Sequence, residues 1–409
     1  MEPQSTNESI NRPTTALQSI ALLLIGLLVA GGLAEVATRI AIPEPSSFYY
    51  VWPPHFGATF KPEPAIMPGV TGVSKFSANS LGLRGEEIKP DQRYRILAVG
   101  GSTTECLFLD QNEQWPALLE KKLNQTWPGH NLWVGNAGRS GLETRDHIAL
   151  ARHLLPQLPK IDTVVFLVGV NDLGLRLQQD TAYNPNELNE PGGEATYLAR
   201  TFSSYPNPDQ SVAWYKRAGL YRLARRTMFA LMPSSDRQDQ QGTVYRKWRE
   251  ERQHAIAIRN KLPDMTSALA EYDRNINTLI DLTAAKQARP VFITQPVMWN
   301  KDLPKELDSL LWGGRVGVEH NDKGQEYYSV EALKEGMELY NRKLLEVCER
   351  RKVECVDMAS ALPKDATVFF DDEHFNETGA EQFAVVLARH LMQTPPISSA
   401  PRAQAGRIN

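Results

Sequence analysis

The sequence predicts an α/β fold built on a central parallel sheet. From residue 93 onward, short apolar segments rich in β-branched residues alternate with segments of helical periodicity. The apolar segments contain few polar residues, as expected for strands that are buried on both faces. Strands separated by helices form parallel sheets with helices on both sides. The expected architecture is therefore a flavodoxin-like three-layer αβα sandwich with about five strands.

Five segments are predicted to be strands, and helical segments separate them along the chain. The predicted strands are residues 96–99, 132–134, 163–168, 291–294 and 353–356. The predicted helices are residues 115–123, 147–155, 276–285 and 332–350, and an amphipathic segment at 380–392 that closes the domain.

The N-terminal segment predicts a transmembrane helix ahead of this domain. Residues 20–34 form an unbroken apolar run, and with their neighbours they are long enough to cross a bilayer core of ~30 Å. We favour an uncleaved signal anchor over residues 14–36. A signal peptide cleaved at residues 32–34 and a buried helix are the alternatives. A single N-terminal span usually exports the domain behind it, although Arg12 and Arg39 on its two sides determine orientation only weakly.

The remaining sequence divides into a large domain with flanking segments. About 120 residues separate the third and fourth predicted strands, which is far longer than a normal crossover. We expect an insertion here, partly helical, that acts as a lid or substrate-binding cap. The predicted boundaries are a disordered tail at 1–13, an extended Pro-rich segment at 37–92, an α/β domain at 93–393 with its insertion at 175–262, and a second disordered tail at 394–409.

Composition excludes some classes of protein. The formal net charge of -3 gives no basic excess for neutralising phosphates, so we expect no nucleic-acid partner. Three cysteines are too few for a disulfide framework. Cys348 and Cys355 lie at a predicted helix-to-strand turn, where they either form a disulfide or are two small buried residues. The sequence does not indicate an oligomeric state.

Four short motifs point to one active site. They are Gly-Gly-Ser-Thr with Ser102, Asn-Ala-Gly-Arg-Ser-Gly ending at Gly141, Gly-Val-Asn-Asp with Asn171, and Asp-Asp-Glu-His with Asp371 and His374. The first three follow predicted strands, and the carboxyl ends of parallel strands meet at one edge of a sheet.

Each motif alone also has an ordinary structural interpretation. The serine suits a helix N-cap, the glycine a tight turn and the asparagine a loop. The fourth motif suits a surface loop or a metal site, and a metal is less favoured because no second histidine stands at ligand spacing. We therefore expect neither a metal nor another cofactor.

Together, the motifs resemble those of the SGNH/GDSL hydrolase superfamily, over about residues 93–393. Membrane-anchored relatives with Gly-Gly-Ser-Thr, in place of the usual Gly-Asp-Ser-Leu, look similar. The resemblance implies that Ser102 is the nucleophile, His374 the base and Asp371 the residue that orients it. It further implies an oxyanion hole from Ser102, Gly141 and the Asn171 amide. A Gly-x-Ser-x-Gly motif, which would indicate the α/β-hydrolase arrangement, is absent.

Three further residues are candidates for substrate binding. Gln295 and Trp299 follow the fourth predicted strand, and an aromatic ring there can stack on a sugar; packing in the core or a loop is the alternative. Arg84 precedes the first strand and either reaches the cleft or belongs to a turn. The basic amphipathic segment 214–226 suits ordinary helix packing better than a membrane surface or an acidic polymer.

These observations favour a membrane-anchored serine esterase that hydrolyses an ester of a small molecule or glycan. An exported location suggests O-acyl groups on a cell-surface or exopolysaccharide glycan. Two alternatives remain open: an O-acyltransferase that uses the same residues, and a catalytically silent glycan-binding or scaffold protein of the cell envelope.

Overall fold

The computed structural model describes residues 13–41, 48–127, 129, 131–206, 215, 218–231, 241–317 and 324–394. The predicted disordered tails lie almost entirely outside these residues. The chain forms two compact units, which are residues 1–47 with 206–237 and residues 48–205 with 238–409.

The described residues contain nine strands and thirteen α-helices. The strands are β1 (Gly57–Phe60), β2 (Ser74–Ser77), β3 (Tyr94–Gly100), β4 (Leu132–Asn136), β5 (Thr163–Leu167), β6 (Ala257–Arg259), β7 (Arg289–Ile293), β8 (Glu326–Tyr328) and β9 (Glu354–Val356). The helices are α1 (Pro13–Ala41), α2 (Ser102–Glu105), α3 (Trp115–Thr126), α4 (Thr144–His153), α5 (Val170–Gln179), α6 (Gly193–Thr201), α7 (Gly219–Leu231), α8 (Thr243–Gln253), α9 (Thr266–Ala285), α10 (Lys305–Asp308), α11 (Val330–Arg351), α12 (Met358–Ala361) and α13 (Glu377–Gln393).

The predicted α/β fold is confirmed, with five parallel strands and helices around them. The sheet order is β4-β3-β5-β7-β9, and all four pairings are parallel. Strands β4 and β5 are buried along their whole length, which explains why their sequences are apolar throughout. Helix α3 packs against α13, and α9 packs against α4 and α11, so the sheet is enclosed by two groups of helices.

The strand order determines where a ligand can bind. The first strand of this sheet, β3, lies between the second and third strands, β4 and β5. In such a sheet the crossovers after β3 and β5 leave in opposite directions, and a crevice opens at the carboxyl ends of these two strands. Ser102 begins α2 directly after β3, and Asn171 lies in the first turn of α5 directly after β5.

Two small sheets lie outside the predicted elements. Strands β1 and β2 pair antiparallel within the extension that precedes the large sheet, and β6 pairs parallel with β8. Each of these strands has only three or four residues, too few for a periodic pattern to identify them.

A buried arginine holds the first part of the predicted insertion against the large sheet's helices. The guanidinium of Arg145 on α4 makes two hydrogen bonds with the carboxylate of Glu271 on α9, at 2.6 and 2.8 Å. It also donates to the Glu187 carboxylate at 2.7 Å and the Tyr197 hydroxyl at 2.8 Å. Because both of these partners belong to the insertion, this segment is fixed by charge-assisted bonds to the helices beneath it.

The N-terminal helix α1 has the length and composition of a membrane span. Its apolar part covers Gln18–Ala41, and its large apolar side chains from Ile20 to Ile40 are exposed. A segment of this length can cross a bilayer or serve as a signal anchor. The export of the catalytic domain stays a prediction.

Cys348 and Cys355 form a disulfide, which joins the end of α11 to β9. The structure therefore favours the first of the two interpretations that the sequence left open. Disulfides persist mainly in oxidising compartments, in agreement with the predicted export.

Candidate active site

Three residues of the predicted site form a continuous chain of hydrogen bonds. The imidazole of His374 lies between the other two side chains, with Nε2 2.7 Å from the Ser102 hydroxyl oxygen. Its Nδ1 lies 2.8 Å from Oδ2 of Asp371. A hydroxyl, an imidazole and a carboxylate in this order can pass a proton from the hydroxyl to the imidazole while the carboxylate stabilises the resulting charge.

The carboxylate of Asp371 is fully buried and accepts four hydrogen bonds. Its Oδ1 accepts the backbone N–H groups of Glu373 at 3.0 Å and His374 at 2.8 Å. Its Oδ2 accepts the indole N–H of Trp312 at 2.9 Å in addition to the imidazole. These bonds fix the rotamer of the carboxylate and therefore the tautomer of His374 that faces Ser102.

The charges at the site favour a basic imidazole. Burial alone lowers the pKa of His374, but the charge of Asp371 and its hydrogen bond outweigh this effect and raise that pKa to about 9. For the pKa of Asp371, burial and the neighbouring charge act with the opposite signs. Burial raises its pKa, and the charge of His374 together with the hydrogen bonds from the imidazole and from the backbone N–H groups of Glu373 and His374 brings it below the usual value. Asp371 is therefore ionised across the whole neutral range.

Asn171 connects the loops that follow β3 and β4. Its side-chain Nδ2 donates to the backbone carbonyl of Leu142 at 2.8 Å. A Cβ added to Gly101 would lie 2.2 Å from the same Nδ2, so only glycine fits beside Ser102 at this point. An amide nitrogen carries two hydrogens, and the bond to Leu142 uses one of them. The second hydrogen is suited to an oxyanion formed at Ser102.

Gly141 lies in the left-handed region, with φ of +76°, one residue before Leu142. An added Cβ would meet nothing within 4 Å, so the backbone conformation and not crowding requires glycine there. Through Leu142 and Asn171 the loop of Gly141 is tied to Gly101. The three parts of the predicted oxyanion hole therefore come from adjoining segments.

A small pocket opens beside the Ser102 hydroxyl, and most of its lining is apolar. Its wall comes from the chain after α2 and from aromatic residues on the other side. The lining residues are Ser102, Thr103, Cys106, Leu107, Phe108, Leu109, Ser140, Tyr245, Phe370, His374 and Phe375. Burial raises the pKa of the Cys106 thiol to about 12, so Cys106 contributes packing and not a thiolate.

Aromatic rings surround the imidazole of His374. The rings of Phe370 and Trp312 lie nearly parallel to it, with interplanar angles of 11° and 16°, and Tyr245 meets it edge-on at 5.6 Å. Trp248 packs against Trp312 with ring centroids 4.8 Å apart. Both tryptophans are only half-buried, so they combine packing around His374 with a partly accessible aromatic surface.

Helix α8, within the predicted insertion, supports this aromatic wall. It carries Tyr245 and Trp248, and its Arg249 donates to the backbone carbonyls of Leu310 at 2.9 Å and Phe370 at 3.0 Å. These residues and Trp312 were not predicted from the sequence. Residues 247–252 read Lys-Trp-Arg-Glu-Glu-Arg, and the helical spacing of Tyr245, Trp248 and Arg252 is the signal that could have identified them.

The match to a known family agrees with this arrangement. Residues 98–382 match the model of the GDSL-like lipase/acylhydrolase family. The chain belongs to this family. It is accordingly an ester-hydrolysing enzyme, and the matched range includes all the motifs that predicted the site.

Two solved structures that show similarity to this family member are described as follows. One is LAE5, an α/β hydrolase enzyme from the metagenome of Lake Arreo in Spain, with 17% identity and a TM-score of 0.39 over 75% of this chain and 97% of that one. Another is Axe2, an acetylxylan esterase from Geobacillus stearothermophilus, with 15% identity and a TM-score of 0.39 over 74% of this chain and 96% of that one. The comparison with curated proteins gives no match.

Arg84 does not reach the cleft of this GDSL-like enzyme, which corrects the prediction of a substrate contact. Its side chain is buried, and the guanidinium donates to the backbone carbonyls of Glu105 at 2.6 Å, Cys106 at 2.7 Å and Leu109 at 2.7 Å. These carbonyls belong to the segment that follows Ser102. Arg84 therefore shapes the pocket wall from behind and has no exposed surface for a substrate.

Gln295 and Trp299 are likewise buried and are not retained as substrate-binding residues. The amide of Gln295 donates to the Pro296 carbonyl at 3.0 Å. The indole of Trp299 donates to Asp372 at 2.6 Å. Asp372 also accepts the backbone N–H of Trp312 at 2.6 Å, so it holds the loop that supplies the tryptophan beside Asp371. Trp299 packs in the protein interior, which is the alternative that the sequence left open for it.

We predict that Asp371→Asn lowers the pKa of His374. The carboxylate stabilises the imidazolium, and an amide of the same shape removes that charge, so the imidazole loses its proton at lower pH. Titration of the His374 ring signals by NMR measures the change. Asp281→Asn, on the exposed side of α9, is the matched control and should leave the titration unchanged. An unchanged titration in Asp371→Asn would show that the pair does not set the basicity of His374.

Proposed function

We propose that this family member is a serine esterase that uses Ser102 as nucleophile, His374 as general base and Asp371 as the orienting carboxylate. The observation that carries the proposal is the chain of hydrogen bonds of 2.7 and 2.8 Å through the imidazole. A hydroxyl is a weak nucleophile at its ordinary pKa, and an adjacent base is the usual means of activating it.

The reaction has two halves. Nε2 of His374, in the neutral form that becomes more populated as the pH rises toward 9, takes the proton of the Ser102 hydroxyl as the oxygen attacks the ester carbonyl carbon, which forms a tetrahedral oxyanion. The imidazolium then gives this proton to the departing alcohol, and an acyl-serine remains. In the second half, water loses a proton to His374 and attacks the acyl-serine. Ser102 leaves with that proton, and the carboxylic acid is released.

Three donors are proposed to bind the oxyanion. They are the backbone N–H groups of Ser102 and Gly141 and the second N–H of the Asn171 amide. Ser102 is the first residue of α2, and the first N–H groups of a helix have no intrahelical acceptor. The contact of the Asn171 amide with Gly101 supports its assignment, because it brings the donor next to the attacking oxygen.

The pocket beside Ser102 supports a short acyl group. Its apolar walls favour a hydrocarbon group over a charged one, and Phe108, Tyr245 and Phe370 restrict its length. Acetyl is the group that we propose. For the alcohol part we propose a glycan, because the half-buried Trp248 and Trp312 provide aromatic surface beside His374 and the predicted export would bring the enzyme to the cell surface.

Replacement of Ser102 or His374 by alanine should abolish hydrolysis of p-nitrophenyl acetate. Loss of nucleophile or base typically lowers kcat by roughly 10⁴-fold to 10⁶-fold. A fluorophosphonate should label the wild type but not Ser102→Ala. Ser309→Ala, which replaces an exposed serine, is the matched control and should retain both ester hydrolysis and fluorophosphonate labelling. Labelling of Ser102→Ala at the wild-type rate would refute the assignment of the nucleophile.

Asn171→Ala and Gly101→Ala should both lower kcat with little change in KM. The first removes an oxyanion donor, and the second adds a Cβ that displaces the same donor. Loss of one donor costs about 2.7–4 kcal/mol of transition-state stabilisation, which is roughly 10²-fold to 10³-fold in kcat. Gly57→Ala, where an added Cβ meets nothing, should behave as wild type. A rise in KM with unchanged kcat would instead assign Asn171 to ground-state binding.

Activity should fall steeply as the acyl chain is lengthened from acetate to hexanoate. Phe108→Ala enlarges the pocket, so it should raise kcat/KM for the hexanoate ester relative to acetate. Steady-state rates with a series of p-nitrophenyl esters test this, with Phe56→Ala as an aromatic control outside the pocket. A wild-type preference for hexanoate would overturn the short-acyl assignment.

A further inference from the structure

We infer that α7 lies in the membrane interface, with its apolar face in the lipid and its N-terminus attached to the end of the span α1. The two helices belong to the same compact unit and pack against each other. This position of α7 at the bilayer is independent of the proposed catalytic roles.

The N-terminus of α7 is capped by a carboxylate from α1. Glu35 accepts the first two backbone N–H groups of α7, from Gly219 at 2.8 Å and Leu220 at 2.9 Å. It also pairs with Arg39 one turn later on its own helix, at 2.7 Å. Free N–H groups at a helix start are costly where water is scarce, and a carboxylate satisfies them and interacts favourably with the helix dipole. The cap is therefore suited to a site at the edge of a bilayer.

Small residues allow the two helices to approach closely. On α1 the half-buried positions are Gly31, Ala34, Glu35 and Thr38, which share one face, whereas their neighbours are exposed. A Cβ added to Gly219 would lie 2.5 Å from the Thr38 hydroxyl and 2.9 Å from the Arg39 nitrogen. Contacts between small residues are typical of helices that pack within or beside a membrane.

The level of this contact follows from the length of the span. About 20 residues of helix cross the hydrocarbon core. Counted from Ile20, where the unbroken apolar run begins, the core ends near Arg39, and Glu35 lies one turn earlier. Helix α7 therefore starts at the depth where acyl chains give way to headgroups.

The apolar face of α7 is exposed. Leu220, Leu223 and Met228 are 40%, 39% and 50% exposed, and helical geometry puts them within one broad face. Arg222 falls on the opposite side of the helix. The sequence of α7 also contains Arg225 and Arg226, which gives the helix three arginines. An apolar face with basic residues is the composition of helices that lie flat on anionic membranes, which identifies the lipid interface as the occupant. The exposure of this face therefore favours the membrane surface over the ordinary packing that the sequence alone suggested for residues 214–226.

Site-specific quenching in vesicles tests the inference on the full-length chain. A single cysteine replaces Leu223, and a bimane label is attached to it. Cys106 is buried and the other two cysteines form a disulfide, so the new thiol reacts selectively. The protein is reconstituted in vesicles of phosphatidylcholine and phosphatidylglycerol. Brominated lipid quenches labels in the bilayer, and iodide quenches labels in water.

We expect the label at Leu223→Cys to be quenched several-fold more by brominated lipid than a label at Arg222→Cys, which should respond to iodide. A label at Leu24→Cys, within the span, gives the reference for full immersion. Adding Glu35→Ala should shift the Leu223→Cys label toward iodide quenching, because α7 loses its cap. Equal iodide quenching at 222 and 223 would overturn the inference. Protection of position 223 from both quenchers would also overturn it, since protein and not lipid would then cover the face. A Leu24→Cys label that lies outside the lipid would overturn it as well.

Discussion

The buried carboxylate of Asp371 is the constraint on which the candidate site depends. Removing a carboxylate from water costs several kcal/mol unless partners replace the lost hydration. Here two backbone N–H groups, an indole and an imidazole provide that replacement. Three of the four donors come from the turn that contains His374, and the indole comes from Trp312, about 60 residues earlier in the chain. Satisfying one charge therefore fixes the imidazole and recruits a distant loop at the same time.

The adjacent Asp372 extends this arrangement. It accepts the backbone N–H groups of Trp312 and Gly313 and the indole of Trp299. The two neighbouring aspartates thus hold the same loop at its backbone and at its tryptophan side chain. Helix α8 approaches from the other side, where Arg249 and Arg252 donate to carbonyls of Leu310 and Gly313. These hydrogen bonds fix the position of the Trp312 loop, although it has little regular secondary structure.

The sequence predicted those parts of the site that follow from regular secondary structure. Ser102 and Asn171 come directly after buried strands, so the parallel sheet alone places them at one edge. The support from Trp312 and α8 was not predictable in this way. It depends on side-chain contacts between a loop and an insertion. Neither segment has a sequence periodicity from which the contacts could be predicted. For Arg84, the substrate-binding role proposed from the sequence was wrong. An arginine near a motif is as well suited to donating to backbone carbonyls behind the pocket wall as to binding a substrate.

Two neighbouring buried carboxyl groups have pKa values that are shifted in opposite directions at this site. Asp371 accepts four hydrogen bonds and has a lowered pKa, whereas burial raises the pKa of Glu373 to about 8, so Glu373 is protonated far more readily than Asp371. Burial also raises the pKa of Asp372. Different partners can separate the pKa values of adjacent acids in this manner and assign them different roles. The imidazolium that forms when His374 takes a proton is stabilised first of all by Asp371, the carboxylate aligned with Nδ1. Because Asp371 holds Nδ1, the nitrogen that faces the Ser102 hydroxyl and can exchange a proton with it is Nε2.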